Sequence, residues 1–300
     1  MKVLLTGATG FIGTHLARRL ESAGHEVLAV SRKAGVGFDW SEESLRRGVD
    51  AADAIINLAG ENLFARRWSA RQKQVLWSSR VEGTTRLARL AAQRKPRCFL
   101  SASAIGWYGP SDDRALDERS PRGDDFLAEL CLDWEAATEA AVEAGVRTAV
   151  VRTGVVLGKD GGALARMLPP FRLGLGGPIG HGRQWVSWIH VDDLCGLFSF
   201  LLESEHASGV YNATAPQPVT MKELSRTLAG VLHRPAFFPV PAPVLKLALG
   251  EVSSILLTGQ RVHPERALEA GYRFAFPELE GALRQITART GAGSRTVKTT

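Results

Sequence analysis

The stretch Thr6-Gly7-Ala8-Thr9-Gly10-Phe11-Ile12-Gly13 follows directly on the apolar run Val3-Leu4-Leu5. A short apolar run that ends in glycine reads as a buried strand. After the glycines, Phe11, Ile12, Leu16, Ala17 and Leu20 fall on one helical stripe, and Gly24 stops a helix running to about Ala23. The glycines therefore occupy a strand-to-helix turn. Gly7 permits the tight turn, Gly10 lets the backbone approach an anion, and Gly13 lets helix and strand pack closely. The first helical amides, Phe11 and Ile12 among them, lack intrahelical acceptors and point at that anion, with Thr9 beside them. A glycine triplet alone is weak evidence. With a strand before it and a helix after it, the turn reads as the pyrophosphate site of a dinucleotide.

Outward from this turn, strand and helix signals alternate. Strands are expected at Glu26–Val30, Ala54–Leu58, Cys98–Ser101 and Thr148–Arg152, and helices at about Ala70–Gln93 and Phe126–Ala144. That alternation predicts an α/β fold, a Rossmann-type doubly wound parallel sheet, with a smaller C-terminal α/β lobe. The dinucleotide-binding region is expected over residues 1–157. A substrate-side lobe intertwined with it follows over 158–288, including a C-terminal segment at about 235–288, and 289–300 reads as a disordered tail. Residues 158–185 are glycine-rich and read as mobile or ligand-covering loops. Asp192-Asp193 reads as the N-cap of a helix. A strand is expected at Val210–Ala213. Thr220-Met221-Lys222-Glu223 has capping-box spacing and opens a helix to about Leu232. Further helices are expected at 243–257 and 278–288.

Composition narrows the function classes. The chain has 300 residues, a formal net charge of +6 and no interleaved aromatic and basic stripe, so no nucleic-acid partner is expected. No apolar run approaches the roughly 18 residues that cross a bilayer, so no membrane role is expected. Met1-Lys2 leads straight into a strand, unlike a secretory leader. Cys98, Cys131 and Cys195 form no CxxC, and the seven histidines show no metal-type pairing. Reduced thiols, no metal and a cytoplasmic location are the expectation.

The end of the second strand indicates which dinucleotide binds. An acidic residue about 20 residues beyond the glycines holds the ribose hydroxyls of NAD. Here that place is Ser31-Arg32-Lys33. A hydroxyl and a guanidinium suit a 2′-phosphate, so NADP is the expected cofactor. The alternative is a solvated basic loop.

These residues resemble the extended short-chain dehydrogenase/reductase family, within the NAD-dependent epimerase/dehydratase superfamily. Thr6–Gly13, Asn57–Gly60, Ser101–Gly109, Ile189–Asp193 and Val210–Ala213 carry the resemblance. Arg67-Trp68-Ser69, Gly174–Gly180 and Leu257–Val262 are similar to a poorly characterised epimerase-like subfamily. The resemblance implies that Leu58, Ala59 and Gly60 line the adenosine side, with Arg80 reaching it from the next helix. It also implies that Ser101, Thr153, Gly154 and Val155 lie by the cofactor, the last three near the nicotinamide. From the residues alone, 57–60 is equally a strand ending in a turn. Extended members often dimerise through two helices, so a homodimer is an expectation.

The family moves protons with a Tyr and a Lys four residues apart. No such pair exists here, where the tyrosines are Tyr108, Tyr211 and Tyr272. With Glu135 aligned to the family's glutamate, Leu127 and Cys131 take the two relay positions. Ser103 matches the catalytic serine and Tyr108 lies in the next turn, so these two are the candidate catalytic residues. Their bland readings are a strand-end hydroxyl and a packing residue. Glu129 and Asp133 read as solvated charges. Trp68, Trp107, Trp185 and Trp188 either shape a pocket or fill gaps between lobes. Two functions remain open. One is an NADP-dependent oxidoreductase or epimerase acting on a small polar or sugar-nucleotide-like molecule. The other is a catalytically silent NADP(H)-binding sensor or scaffold.

Overall fold

The structure, a computed structural model, describes residues 1–33 and 35–288. The tail expected at 289–300 lies outside the described residues. The sheet is built from β1 (Lys2–Thr6), β2 (Glu26–Val30), β3 (Ala54–Asn57), β4 (Cys98–Ala104), β5 (Thr148–Thr153) and β6 (Gly209–Ala213). Its order is β6-β5-β4-β3-β1-β2 and every pairing is parallel. Side chains alternate between its faces. Val3, Leu5, Ile56, Leu100 and Val151 point to one core, and Leu4, Ile55 and Phe99 to the other. Both faces are covered, which is why these strands are apolar throughout.

On the first face lie α1 (Phe11–Ser22) and α7 (Val191–Glu203), with Leu16, Leu20, Leu194, Leu197 and Phe198 buried. On the second lie α2 (Glu42–Ala51), α3 (Ala70–Arg94) and α5 (Glu139–Glu143), with Leu45, Val49, Leu87 and Ala141 buried. A further core joins α6 (Gly162–Arg172), α8 (Met221–Leu232) and α10 (Leu279–Thr287) through Leu164, Leu168, Leu224, Leu228 and Leu283. The expected capping box is present at Thr220 and Glu223. All three cysteines are buried and free. No helix among the described residues is long and apolar enough to cross a membrane.

Several expectations are corrected. Residues 158–185 are not only loop, because α6 buries Leu164, Leu168 and Phe171 despite Pro169 and Pro170 in its last turn. The helix expected at 126–144 breaks into α4 (Phe126–Ala136) and α5, where the Thr138 hydroxyl donates back to Glu135 O. The one expected at 243–257 is α9 (Ala242–Leu249) followed by short turns. Helix α2 carries no sequence expectation, yet Ser41 caps it by accepting from Ser44 N.

The largest correction concerns Asp192-Asp193. Helix α7 is capped by His190, whose Nδ1 accepts from Asp192 N at 3.0 Å. Asp193 is buried, and its carboxylate accepts from Ala275 N (2.7 Å) and Phe276 N (2.9 Å). It fastens the C-terminal segment to α7. The C-terminal segment is also held to the dinucleotide half from outside. Arg67 donates Nε to Ala248 O at 3.0 Å and a terminal nitrogen to Leu247 O, the last carbonyls of α9.

His190 is fixed as the neutral imidazole, since Nδ1 accepts and Nε2 faces Gln285 Oε1 at 2.9 Å. Burial lowers its pKa below the usual 6.5, outweighing the opposing pull of Asp192 and Asp193. Below that value the unfolded chain binds a proton that the folded chain refuses, so stability falls with falling pH. We expect melting temperatures to decline from pH 6.5 downwards. The variant His190→Asn, which retains a capping oxygen, should flatten that slope, as read by thermal melts across pH.

Candidate active site

The site lies at the carboxyl ends of the strands, and its first part is the glycine turn. Beneath the turn, the Thr6 hydroxyl donates to Asn57 Oδ1 at 2.6 Å and accepts from Leu58 N and Ala59 N, each at 3.1 Å. Asn57 Nδ2 donates to Thr84 Oγ1 at 2.8 Å, and Trp134 Nε1 donates to the same oxygen at 3.0 Å. This buried network ties β1, β3, α3 and α4 together. Above it, Gly7 has φ +69°, and a Cβ at Gly13 would collide with the Gly7 carbonyl oxygen. The Phe11 ring fills the hollow left by Gly158, Gly161 and Gly162, which seats the start of α1. Ile12 is half-buried, and Thr9 and Gly10 are exposed. A Cβ on Gly10 would meet only the Gly7 carbonyl oxygen, at 3.2 Å. The cradle thus offers bare backbone and the unpartnered first-turn amides of α1, which fits a pyrophosphate.

The adenosine end differs in detail from the sequence expectation. Ser31 is buried and its hydroxyl accepts from Lys33 N at 2.9 Å, so it closes a turn rather than facing the cleft. Arg32 is exposed and pairs with Glu61 at 3.3 Å. Leu58, Ala59 and Gly60 leave β3 beside the glycine turn. Arg80 lies against Gly60 and donates to Glu61 O (2.8 Å) and Leu76 O (3.2 Å), with its guanidinium over the Trp134 ring. Burial lowers its pKa. Both terminal nitrogens are thus engaged by backbone carbonyls and hold the loop.

Towards the expected nicotinamide end, Ser101 is buried beside Asn57 and donates to Ala102 O at 3.3 Å. It supports the cradle from below and is not part of its surface. Thr153, Gly154 and Val155 form a half-buried wall where β5 ends. Gly154 N donates to Ala213 O and Val155 N to Ser187 O, so these amides hold the wall together.

The chemical end is organised by a buried ion pair. Arg152 on β5 meets Glu135 on α4 through Nε–Oε1 (2.8 Å) and a second nitrogen to Oε2 (2.9 Å). The two side chains are 4% and 11% exposed. Burial works against the Arg152 charge, but the Glu135 hydrogen bonds and charge outweigh it and raise its pKa. The guanidinium also stacks on the Trp107 ring at 3.8 Å. Ser103 Oγ donates to Glu135 Oε1 at 2.7 Å. Its proton is committed to a carboxylate, which leaves its lone pairs as acceptors.

Tyr108 is withdrawn as a proton donor. It is 3% exposed, its hydroxyl donates to Asn212 Oδ1 at 2.8 Å, and it accepts from Arg152 at 3.1 Å. Burial pushes its pKa up to about 12 despite the neighbouring Arg152. Leu127 and Cys131, at the family's relay positions, pack against Gly106. Burial and then Glu135 push the Cys131 thiol up to about 12, so it stays protonated. Glu129 is exposed as expected, and Asp133 is exposed but accepts from Trp77 Nε1 at 2.7 Å. Trp188 is buried in the core that joins α6, α8 and α10, whereas Trp185 stands half-buried with Arg261 over its ring. Among the described residues no cluster of metal-ligating side chains occurs. Sequence reading missed the Glu135–Arg152 pair. Its signal was a charge, Arg152, ending the apolar strand Ala149-Val150-Val151, where it needs a partner.

Comparison with known proteins fits this geometry. The model of the NAD dependent epimerase/dehydratase family matches residues 3–214, and a domain of unknown function (DUF1731) matches 240–286. The chain is 46% identical over 296 residues to the epimerase family protein SDR39U1 of Mus musculus, covering 96% of this chain and all of that one. It is 40% identical over 300 residues to the epimerase family protein YfhF of Bacillus subtilis, covering 96% and 98%. Among solved structures, human SDR39U1 with NADPH superposes with a TM-score of 0.90 at 43% identity, covering 95% of this chain and 99% of that one. The UDP-glucose 4-epimerase of Thermotoga maritima shares the fold, with a TM-score of 0.78 at 19% identity and coverage of 95% and 97%.

Removing one member of a buried pair strands the other charge, which costs about 3–5 kcal/mol. Glu135→Gln is expected to lose stability on that scale in urea unfolding. Adding Arg152→Met should restore part of the loss, because no uncompensated charge then remains.

Proposed function

The chain belongs to the NAD dependent epimerase/dehydratase family, and from that premise we propose that it is an NADP(H)-dependent oxidoreductase or epimerase. Its substrate would be a small polar molecule bearing a hydroxyl or carbonyl, of which a sugar-nucleotide-like compound is one type. The cofactor assignment is supported by the bare glycine cradle, by the exposed guanidinium of Arg32, and by the NADPH bound in the 43% identical human structure. When bound, the nicotinamide supplies or accepts hydride.

The observation that carries the catalytic reading is Ser103 donating to Glu135 Oε1 at 2.7 Å while Arg152 grips the same carboxylate. Arg152 holds both oxygens of the Glu135 carboxylate in place. Glu135 holds the serine proton, which leaves a lone pair of the buried Ser103 oxygen to accept from a substrate hydroxyl that reaches it. Oxidation then moves that hydroxyl's proton to Ser103 Oγ as the serine proton passes to Glu135 Oε1. Reduction runs the two transfers backwards. A pair of oxygens thus replaces the tyrosine and lysine, whose places Leu127 and Cys131 fill.

That filling favours a second reading, a cofactor-binding sensor that performs no chemistry. The two are separated by turnover. We expect calorimetry to register NADPH binding, and Gly10→Ala to abolish most of it at only a small loss of melting temperature, because the added methyl stands on an exposed turn and meets one atom, the Gly7 carbonyl oxygen at 3.2 Å. An absence of heat at millimolar NADPH would remove both readings. In a screen of carbonyl compounds, NADPH oxidation should occur and Ser103→Ala should slow it by more than about tenfold. Tight binding with no oxidation across the screen would leave the sensor.

A further inference from the structure

The sequence places no acid at the end of β2, but the fold brings one there from another strand. Arg32 lies two residues beyond β2 and Glu61 four residues beyond β3. Strand β1 runs between these two strands. The Arg32–Glu61 pair, at 3.3 Å, therefore spans the end of β1, where the glycine turn begins. Its two partners are unequal. Glu61 is anchored, since its N–H donates to Ser79 Oγ at 3.0 Å and its carbonyl accepts from Arg80 at 2.8 Å. Its side chain is 24% exposed, against 79% for Arg32. The carboxylate is the fixed post and the guanidinium the movable arm.

We propose that Glu61 selects the cofactor, and that the site takes NAD as well as NADP. This rests on the cofactor assignment above. With Ser31 closed into its own turn, the exposed cations Arg32 and Lys33 are left at the end of β2 to meet a 2′-phosphate, and Arg32 is the one paired with Glu61. To do so it must leave Glu61, whose carboxylate then faces a second anion. Like charges at that range repel, so Glu61 weakens NADP binding. A 2′-hydroxyl makes the opposite demand. It is a donor, and Glu61 is an acceptor in the role that an acid at the end of β2 plays in NAD-selective turns. Arg32 then remains where it is. One carboxylate thus acts against the phosphorylated carrier and for the plain one, and the ratio of the two affinities depends on it.

The test is calorimetric titration of NADPH and NADH into the wild-type chain, Glu61→Gln and Arg32→Ala, none of which disturbs a buried group. The wild type should bind both carriers. Glu61→Gln should tighten NADPH by roughly two- to fivefold, the size of an exposed ion pair, and weaken NADH by about tenfold, the loss of a charge-assisted hydrogen bond. Arg32→Ala should weaken NADPH and leave NADH within about twofold, as expected of a group that touches only the phosphate. Wild-type protein that binds NADPH but not NADH would overturn the proposal and leave the cofactor assignment intact. So would a Glu61→Gln variant that changes neither constant or weakens both alike. Wild-type protein that binds neither carrier would overturn both.

Discussion

The contact between Gly13 and the Gly7 carbonyl sets the position of everything around the cleft. It lets the first turn of α1 lie against the Gly7–Ala8 backbone with no side chain between them. From that closeness follow the aim of the first-turn amides and the burial of Leu16 and Leu20. The packing of α7 on the same face follows as well. Any residue with a Cβ at position 13 would push the helix away and take its donors out of range. The Thr6–Asn57–Thr84 network does the complementary work below. It satisfies the polar groups that strand ends leave in a buried place, so the turn rests on a rigid floor.

At the other end of the cleft the dominant interaction is electrostatic. Arg152 and Glu135 are removed from water, and an ion pair in that setting is a poor way to gain stability. A methionine and a leucine would serve a core better. The pair is useful for orientation. It fixes the Ser103 proton, stacks against Trp107 and fastens the Tyr108 hydroxyl together with Asn212. Five side chains from three strand ends, a turn and a helix are thereby locked into a single hydrogen-bonded arrangement. Such rigidity suits a site that has to present one oxygen in one direction.

Much of this was legible in the sequence. The glycine turn, the parallel order of strands and the loss of the tyrosine–lysine pair all rest on local residue types. What could not be read involves partners far apart along the chain. Glu61 carries no sequence expectation, and its relation to Arg32 exists only because β1 separates β2 and β3. Ser31 and Ser101 looked like ligands, yet backbone groups near them claim their hydroxyls. Tyr108 looked like an acid until burial and Arg152 were seen around it. Other misses had signals that went unused. Ser41, Glu42 and Glu43 before Leu45 and Val49 mark the start of α2. Leu164, Leu168 and Phe171 keep helical spacing through Pro169 and Pro170, inside a stretch whose glycines read as loop.

The carboxylate of Asp193 bears on how this chain can be dissected. The family match ends at residue 214, which invites cutting the molecule there to obtain a minimal nucleotide-binding fragment. Such a fragment would keep α7 but lose the amides of Ala275 and Phe276 that hold the Asp193 carboxylate, and with them Ala267, Tyr272 and Phe274, which pack on the core beneath α1 and α7. Each large apolar side chain uncovered at that core costs about 1.5–3 kcal/mol, against a whole domain's margin of about 5–15 kcal/mol. The boundary drawn by sequence similarity therefore runs through hydrogen-bonded and packed contacts rather than along a physical seam.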